Sequence, residues 1–194
     1  MIKKILKLKK LLKSSSKLLK QKMKIDLKKY LKLYNLEDYL FDILGFQIKK
    51  RGCVKFDEFY KICMWKSSRQ KPNYIKNKKI VERITKKAFL EKDEKEKINI
   101  LCSMKGVGIP TASAILTIVF PDKYAIIDIR CMEILFELKL LKSKNISINT
   151  WMDYLAVIRF LAKENNTTPR NIDKALFAMH RELLDNNNFT NLYN

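Results

Sequence analysis

The sequence predicts an all-α fold, a helical domain carrying a basic helical extension at its N-terminus. Three observations predict it. Only 4 Gly and 4 Pro occur in 194 residues. Long runs are rich in Leu, Ile, Lys and Glu, which are helix formers, and the β-branched alternation that strands require is scarce. A hydrophobic content of 47% is enough to bury a core. Composition and pattern divide the chain into a basic amphipathic arm (residues 1–24), a helical domain (25–185) and a frayed tail (186–194).

The arm holds ten lysines and no acid, with Ile5, Leu8, Leu11, Leu12, Leu18 and Leu19 forming a rough helical stripe interrupted by Ser14, Ser15 and Ser16. A DNA-contacting tail, an interfacial membrane helix and a solvated extension all fit that pattern. Basic residues threaded through its apolar ones, without a cleavage-like site, make it a poor signal peptide. Between Asp26 and Gln70, apolar residues recur at helical spacing from Tyr30 to Leu44 and again from Phe56 to Met64, so two helices separated by a Gly45 to Gly52 break are expected. The second ends in Trp65-Lys66-Ser67-Ser68-Arg69, a polar and basic loop with one large aromatic. A third helix is expected from about Asn77 to Leu90, where Ile80, Val81, Ile84, Ala88 and Phe89 share a face. Further helices are expected after Asp128, over about Thr150 to Lys163, and from about Pro169 onward. Trp151 and Tyr154 read as core. His180, among Leu176, Phe177, Met179 and Leu183, reads as a satisfied helix residue, and Arg159, Arg170 and Arg181 are candidates for a DNA-facing side.

Charge is the first functional clue. Lys and Arg number 41 against 20 Asp and Glu, a formal net charge of +21 that exceeds what solubility requires and points to a polyanionic partner. An AT-rich genome, which writes Lys at many polar positions, is the competing source of this excess. Cys53, Cys63, Cys102 and Cys131 are widely spaced with no CxxC pair, which argues against a zinc ribbon or a disulfide framework. Reduced thiols and a cytoplasmic, nucleoid-associated location are expected. No stretch approaches the roughly 18 uncharged apolar residues of a membrane span, so stable membrane association is not expected.

The informative segment runs from Ile100 to Leu116. Gly106 and Gly108 flank Val107 between two helical patterns, so the chain must turn tightly through backbone angles that glycine adopts cheaply. Pro110 suits the first turn of the second helix, where a missing amide proton costs nothing. Such a turn points the free amides of a helix N-terminus outward where there is little side-chain bulk, a site for a backbone phosphate. Lys105 adds charge just before it. A plain helical corner without ligand has the same local pattern.

The pattern Met104-Lys-Gly-Val-Gly-Ile-Pro-Thr-Ala-Ser-Ala-Ile-Leu, followed by Tyr124-Ala-Ile-Ile-Asp128-Ile-Arg130, resembles the helix-hairpin-helix DNA glycosylase superfamily, the endonuclease III-like proteins. The resemblance is strong over about Ile98 to Leu138 and general in the flanking helices. It implies a helical domain built around the hairpin, double-stranded DNA as partner through phosphate contacts, excision of a damaged or mismatched base, and Asp128 as the catalytic carboxylate. The DNA-binding residues it implies are Lys105, Gly106, Val107, Gly108, Pro110 and Thr111 of the hairpin, with Arg130 beside Asp128. A carboxylate beneath the sugar stabilises the positive charge that develops as an N-glycosidic bond breaks. Capping of the helix that starts at Ile129, or pairing with Arg130, are the structural roles open to Asp128.

Departures from the family narrow the expectation. Bifunctional members carry a lysine where this chain has Pro110, and proline forms no Schiff base, so a monofunctional glycosylase using water is expected, unless Lys66 or Lys105 substitutes. No cysteine follows Cys131, so no iron–sulfur cluster and no bound metal are expected; the resemblance allows a monovalent cation at the hairpin carbonyls. The loop with Trp65, Lys66 and Arg69 lies where relatives carry a duplex wedge, without matching that motif. Trp65 reads either as wedge or as core anchor, Lys66 and Arg69 as phosphate contacts. A monomer is expected. The alternative to an enzyme is a non-catalytic helix-hairpin-helix DNA-binding protein; a membrane-surface protein using the basic arm is a third reading.

Overall fold

The computed structural model describes residues 38–185, so the arm over residues 1–24 and the tail over 186–194 lie outside the described residues. A π-helical turn, Tyr39–Leu44, continues directly into α1, Gly45–Arg51. Then follow α2, Phe56–Lys66; a 3-10 turn, Ser68–Gln70; the short α3, Lys71–Ile75; and α4, Val81–Leu90. The second half comprises α5, Glu94–Cys102; α6, Ile109–Val119; α7, Ile129–Glu137; α8, Ile148–Glu164; and α9, Pro169–Asp185. The fold is all-helical, with no strand among the described residues. None of the described helices is long and apolar enough to cross a membrane.

The centre of the molecule is α6, whose residues from Thr111 to Val119 are all buried. It packs against α1, α2 and α5, while α9 packs on α7 and α8. Trp151 and Tyr154 are fully buried, as expected for core, and Trp151 stacks on Tyr124 at 6.3 Å between centroids. Helix starts follow local chemistry. Asp93 caps α5 by accepting the Glu96 amide proton, and Ser147 caps α8 by accepting that of Thr150.

Two element boundaries differ from expectation. The break between Gly45 and Gly52 reduces to Gly52, whose φ of +79° ends α1. Gly45 lies inside the helical run because α1 crosses α6 there: a Cβ at this position would stand 2.1 Å from the Ile118 carbonyl oxygen. The third helix begins at Val81 rather than near Asn77. The Asn77 side chain is fully buried and donates to the carbonyls of Asn73, Tyr74 and Lys105, which holds residues 76–80 in turns.

Between α6 and α7 the chain crosses the interior without regular structure, and Tyr124, Ala125, Ile126 and Ile127 are all buried. Buried backbone outside a helix must find other partners. The Ile126 amide donates to the Asp173 carboxylate at 2.6 Å and its carbonyl accepts from the Tyr154 hydroxyl at 2.8 Å. The Ile127 amide donates to Ser113 Oγ at 3.2 Å. Three elements, α6, α8 and α9, therefore fix the segment that ends in Asp128.

Candidate active site

Asp128 emerges from that pinned segment as the N-cap of α7. Its Oδ1 accepts the Arg130 amide proton at 3.1 Å, and its Oδ2 lies 2.7 Å from Lys66 Nζ, delivered by the last residue of α2. The side chains are 26% and 12% exposed respectively, so the pair is partly withdrawn from water. Burial alone pushes the Asp128 carboxyl up. The Lys66 ammonium, helped by its hydrogen bond and the Arg130 amide, outweighs burial and holds the carboxyl below its ordinary value. At neutral pH Asp128 is an anion with both oxygens engaged.

The turn between α5 and α6 faces the same space. Gly106 has a φ of +81°, the left-handed region, and its α-carbon packs so closely on the Ser68–Ile75 region that a Cβ would lie 2.9 Å from Asn73 Cβ. Gly108 is different. As N-cap of α6 it has a φ of −92°, which any residue adopts, and a Cβ there would meet nothing nearer than Pro110 Cδ at 3.8 Å. Its bareness leaves the first turn of α6 with no side-chain cap; Pro110 in that turn has no amide proton, so the uncapped donors there are those of Ile109 and Thr111. Asn77 clamps the turn from behind: Nδ2 donates to the Lys105 carbonyl and Oδ1 accepts the Lys105 amide proton, each at 2.8 Å. Tyr74 closes the back of the site, donating its hydroxyl to the Ser67 carbonyl at 3.0 Å.

Together these residues surround an open groove of about 850 Å³. Of the residues singled out in the sequence, Lys66, Arg69, Lys105, Gly106, Val107, Gly108, Pro110, Thr111 and Asp128 line it. Val107 and Thr111 are each only 5% exposed, so they offer a ligand little surface. Trp65 and Arg130 lie off the groove. Trp65 packs against the core, edge-to-face on Phe41 at 6.2 Å, the core-anchor alternative. The Arg130 guanidinium turns to α9 and sits 4.8 Å above the Phe177 ring, so the side-chain cation bonded to Asp128 is Lys66. Cys102 also lines the groove, but burial pushes its thiol up to about 11, too high for a thiolate nucleophile at neutral pH.

Of the three arginines suggested for a DNA face, Arg181 is exposed, and the other two are held in ion pairs. Arg159 makes a two-pronged contact with Glu94, at 3.0 and 2.6 Å, and Arg170 is buried against Asp173. His180 is fully buried, with Nε2 2.7 Å from Glu133 of α7. All four cysteines are free thiols. Asn77, Tyr74, Ser113 and Asp173, which position the site, carry no local sequence signal. Asn77 stands in a lysine-rich run at the expected start of a helix, and Asp173 acts 47 residues from the amide it holds. Comparison with family models, curated proteins and solved structures gives no match.

Proposed function

We propose that the chain is a monofunctional DNA glycosylase that removes a damaged or mismatched base from double-stranded DNA. The observation that carries this reading is that Asp128 and the uncapped N-terminus of α6 open onto one groove. A phosphate docked on the α6 amides beside Lys105 and Arg69 holds the backbone, and the adjoining nucleotide then presents its sugar to Asp128. As the bond from C1′ to the base nitrogen breaks, its electrons leave with the base and positive charge grows on the sugar. Asp128, held ionised by Lys66, stabilises that charge. Its lowered proton affinity makes it a weak base, so charge stabilisation is its role; water adds at C1′ and gives up its proton to solvent, the departing base takes a proton from solvent, and an abasic site is left. The reading is tested on duplexes each carrying one lesion, with alkali added to cut abasic sites. Alkali-dependent cleavage of one duplex supports it; silence across uracil, mispaired thymine, 8-oxoguanine and alkylated adenine counts against it.

A second reading is favoured by one specific observation: both Asp128 oxygens already have protein partners, as in a carboxylate with a structural role. Under it, the hairpin binds duplex DNA without chemistry. The two readings separate at Asp128, whose replacement by Asn removes excision under the first and leaves binding intact under both; Lys66 tests how the enzyme keeps that carboxyl ionised. For the enzyme, Lys66→Met removes the cation that offsets burial, so the Asp128 pKa rises and the acid limb of the pH–kcat/KM profile moves to higher pH, while Lys66→Arg keeps the limb near its original position. An unmoved limb in the Met variant removes Lys66 from this role.

The two glycines give a further expected contrast. Gly106→Ala forces a side chain into the left-handed region and against Asn73, at a cost of about 1–3 kcal/mol in thermal or urea unfolding. Gly108→Ser meets neither obstacle and supplies a good N-cap, so stability is unchanged or rises by about a few tenths of a kcal/mol. The new hydroxyl nevertheless competes with phosphate for the α6 amides, and affinity for duplex DNA falls. Undiminished binding by a fully folded Gly108→Ser protein removes the α6 N-terminus from the interface.

A further inference from the structure

The charge of the described residues is not spread evenly. Residues 59–81 hold seven Lys and Arg and no Asp or Glu, whereas residues 82–97 hold six Lys and Arg and five Asp and Glu. A compositional bias toward lysine raises both stretches alike and does not strip one of acids. Within the first stretch, Lys71, Lys76, Lys78 and Lys79 are exposed and stand outside the groove lining. Lys71 opens α3, and the other three follow it in the turn before α4.

Their position relative to the hairpin is set by one buried side chain. Asn77 lies between Lys76 and Lys78 in sequence; its side chain accepts the Lys105 amide proton and donates to the Lys105 carbonyl, each at 2.8 Å. The α-carbons of the two flanking lysines are therefore only about 3.8 Å from that of the residue that grips the hairpin. Gly106 packs on Asn73, Gln70 and Tyr74 of the same stretch, which makes the contact continuous. The Lys76 ammonium reaches the Asn73 side chain at 3.1 Å, a neutral, half-buried partner that leaves its charge uncompensated by that bond.

We infer that Lys71, Lys76, Lys78 and Lys79 form a second phosphate-contacting strip, which grips the backbone of duplex DNA beyond the nucleotide held in the groove. This rests on the DNA-binding part of the proposed function and not on base excision. Four exposed lysines with no carboxylate between them in sequence suit a repeating phosphodiester chain. Their rigid attachment to the turn places strip and hairpin on the same polyanion. The contact is with backbone, so it adds affinity on any sequence.

Salt dependence tests this on an undamaged duplex, with the full chain. Binding is followed by fluorescence anisotropy between low and physiological salt for wild type, for Lys76→Gln/Lys78→Gln/Lys79→Gln, and for Lys86→Gln/Lys87→Gln/Lys92→Gln as a charge-matched control. Each lost phosphate contact lowers the magnitude of the slope of log K against log salt by about 0.9, so the strip variant loses roughly 2–3 units where the control loses little. The corresponding Lys→Arg triple retains the slope, and thermal melting of all variants verifies folding. A strip variant with the wild-type slope, or one matched by the control, overturns the strip and leaves DNA binding by the hairpin standing. A wild type that ignores duplex DNA but sediments with phosphatidylserine vesicles overturns both, in favour of a membrane surface.

Discussion

Asp128→Asn is expected to lower the rate of base release by about 10²–10³-fold, the range seen when one preorganised group that stabilises transition-state charge is removed. The substitution keeps the fold for a definite reason. Asparagine is as good an N-cap as aspartate, so the bond to the Arg130 amide persists and α7 begins where it did. What changes is charge. The Lys66 ammonium loses its carboxylate, and the groove becomes more positive, so affinity for duplex DNA is retained or raised. Single-turnover excision and equilibrium binding, measured on the same lesion duplex, separate the outcomes. Lost excision with intact binding is the glycosylase result, and equal excision by the variant removes Asp128 from the chemistry.

The largest effect on stability is expected at Asp173. Its buried carboxylate pairs with Arg170 and accepts the Ile126 amide proton, and breaking a buried pair by deleting one member costs about 3–5 kcal/mol. Asp173→Ala is therefore expected to unfold at much lower urea concentration than wild type. Asp173→Asn, which keeps the shape and one acceptor, is expected to cost less. Burial, only partly countered by Arg170 and the Ile126 amide, pushes this carboxyl up to about 6. A group whose folded-state pKa is raised contributes stability that is fully present below the unfolded value and lost as pH rises through the folded one. The wild type should accordingly lose part of its stability between the ordinary carboxylate range and about pH 6, and Asp173→Asn, which does not ionise, should lack that component. A wild-type curve parallel to that of the Asn variant across this window counts against a raised Asp173.

What was legible in the sequence was local. Gly106 and Pro110 betray a tight turn and a helix start because their backbone geometry is a property of single residues, and Asp128 reads as a cap because capping reaches only two or three positions. The all-helical class followed from composition and period for the same reason. Gly108 looked like a second conformational glycine and is not one; its value lies in the side chain it lacks. The Lys66–Asp128 pair spans 62 residues, and nothing in a local pattern chooses Lys66 over Arg130, which stands two residues away and turns instead to Phe177. Trp65 left two readings open, since a large apolar side chain at a helix end serves a wedge or a core equally well. Gly45 reads as a break because its helical neighbours give no sign of the α6 backbone that crosses it.

The two bonds from Asn77 to Lys105 also bear on how fast a ligand can be held. A side-chain carboxamide that accepts the amide proton of one residue and donates to the carbonyl of the same residue imitates a paired strand, and it holds the turn without a ligand. The conformational freedom of the turn is thus lost once, when the chain folds, and not again at each encounter. For the DNA binding proposed above, this turn needs no reordering on association, so the loop is already in place as the protein releases one stretch of the polyanion and engages the next.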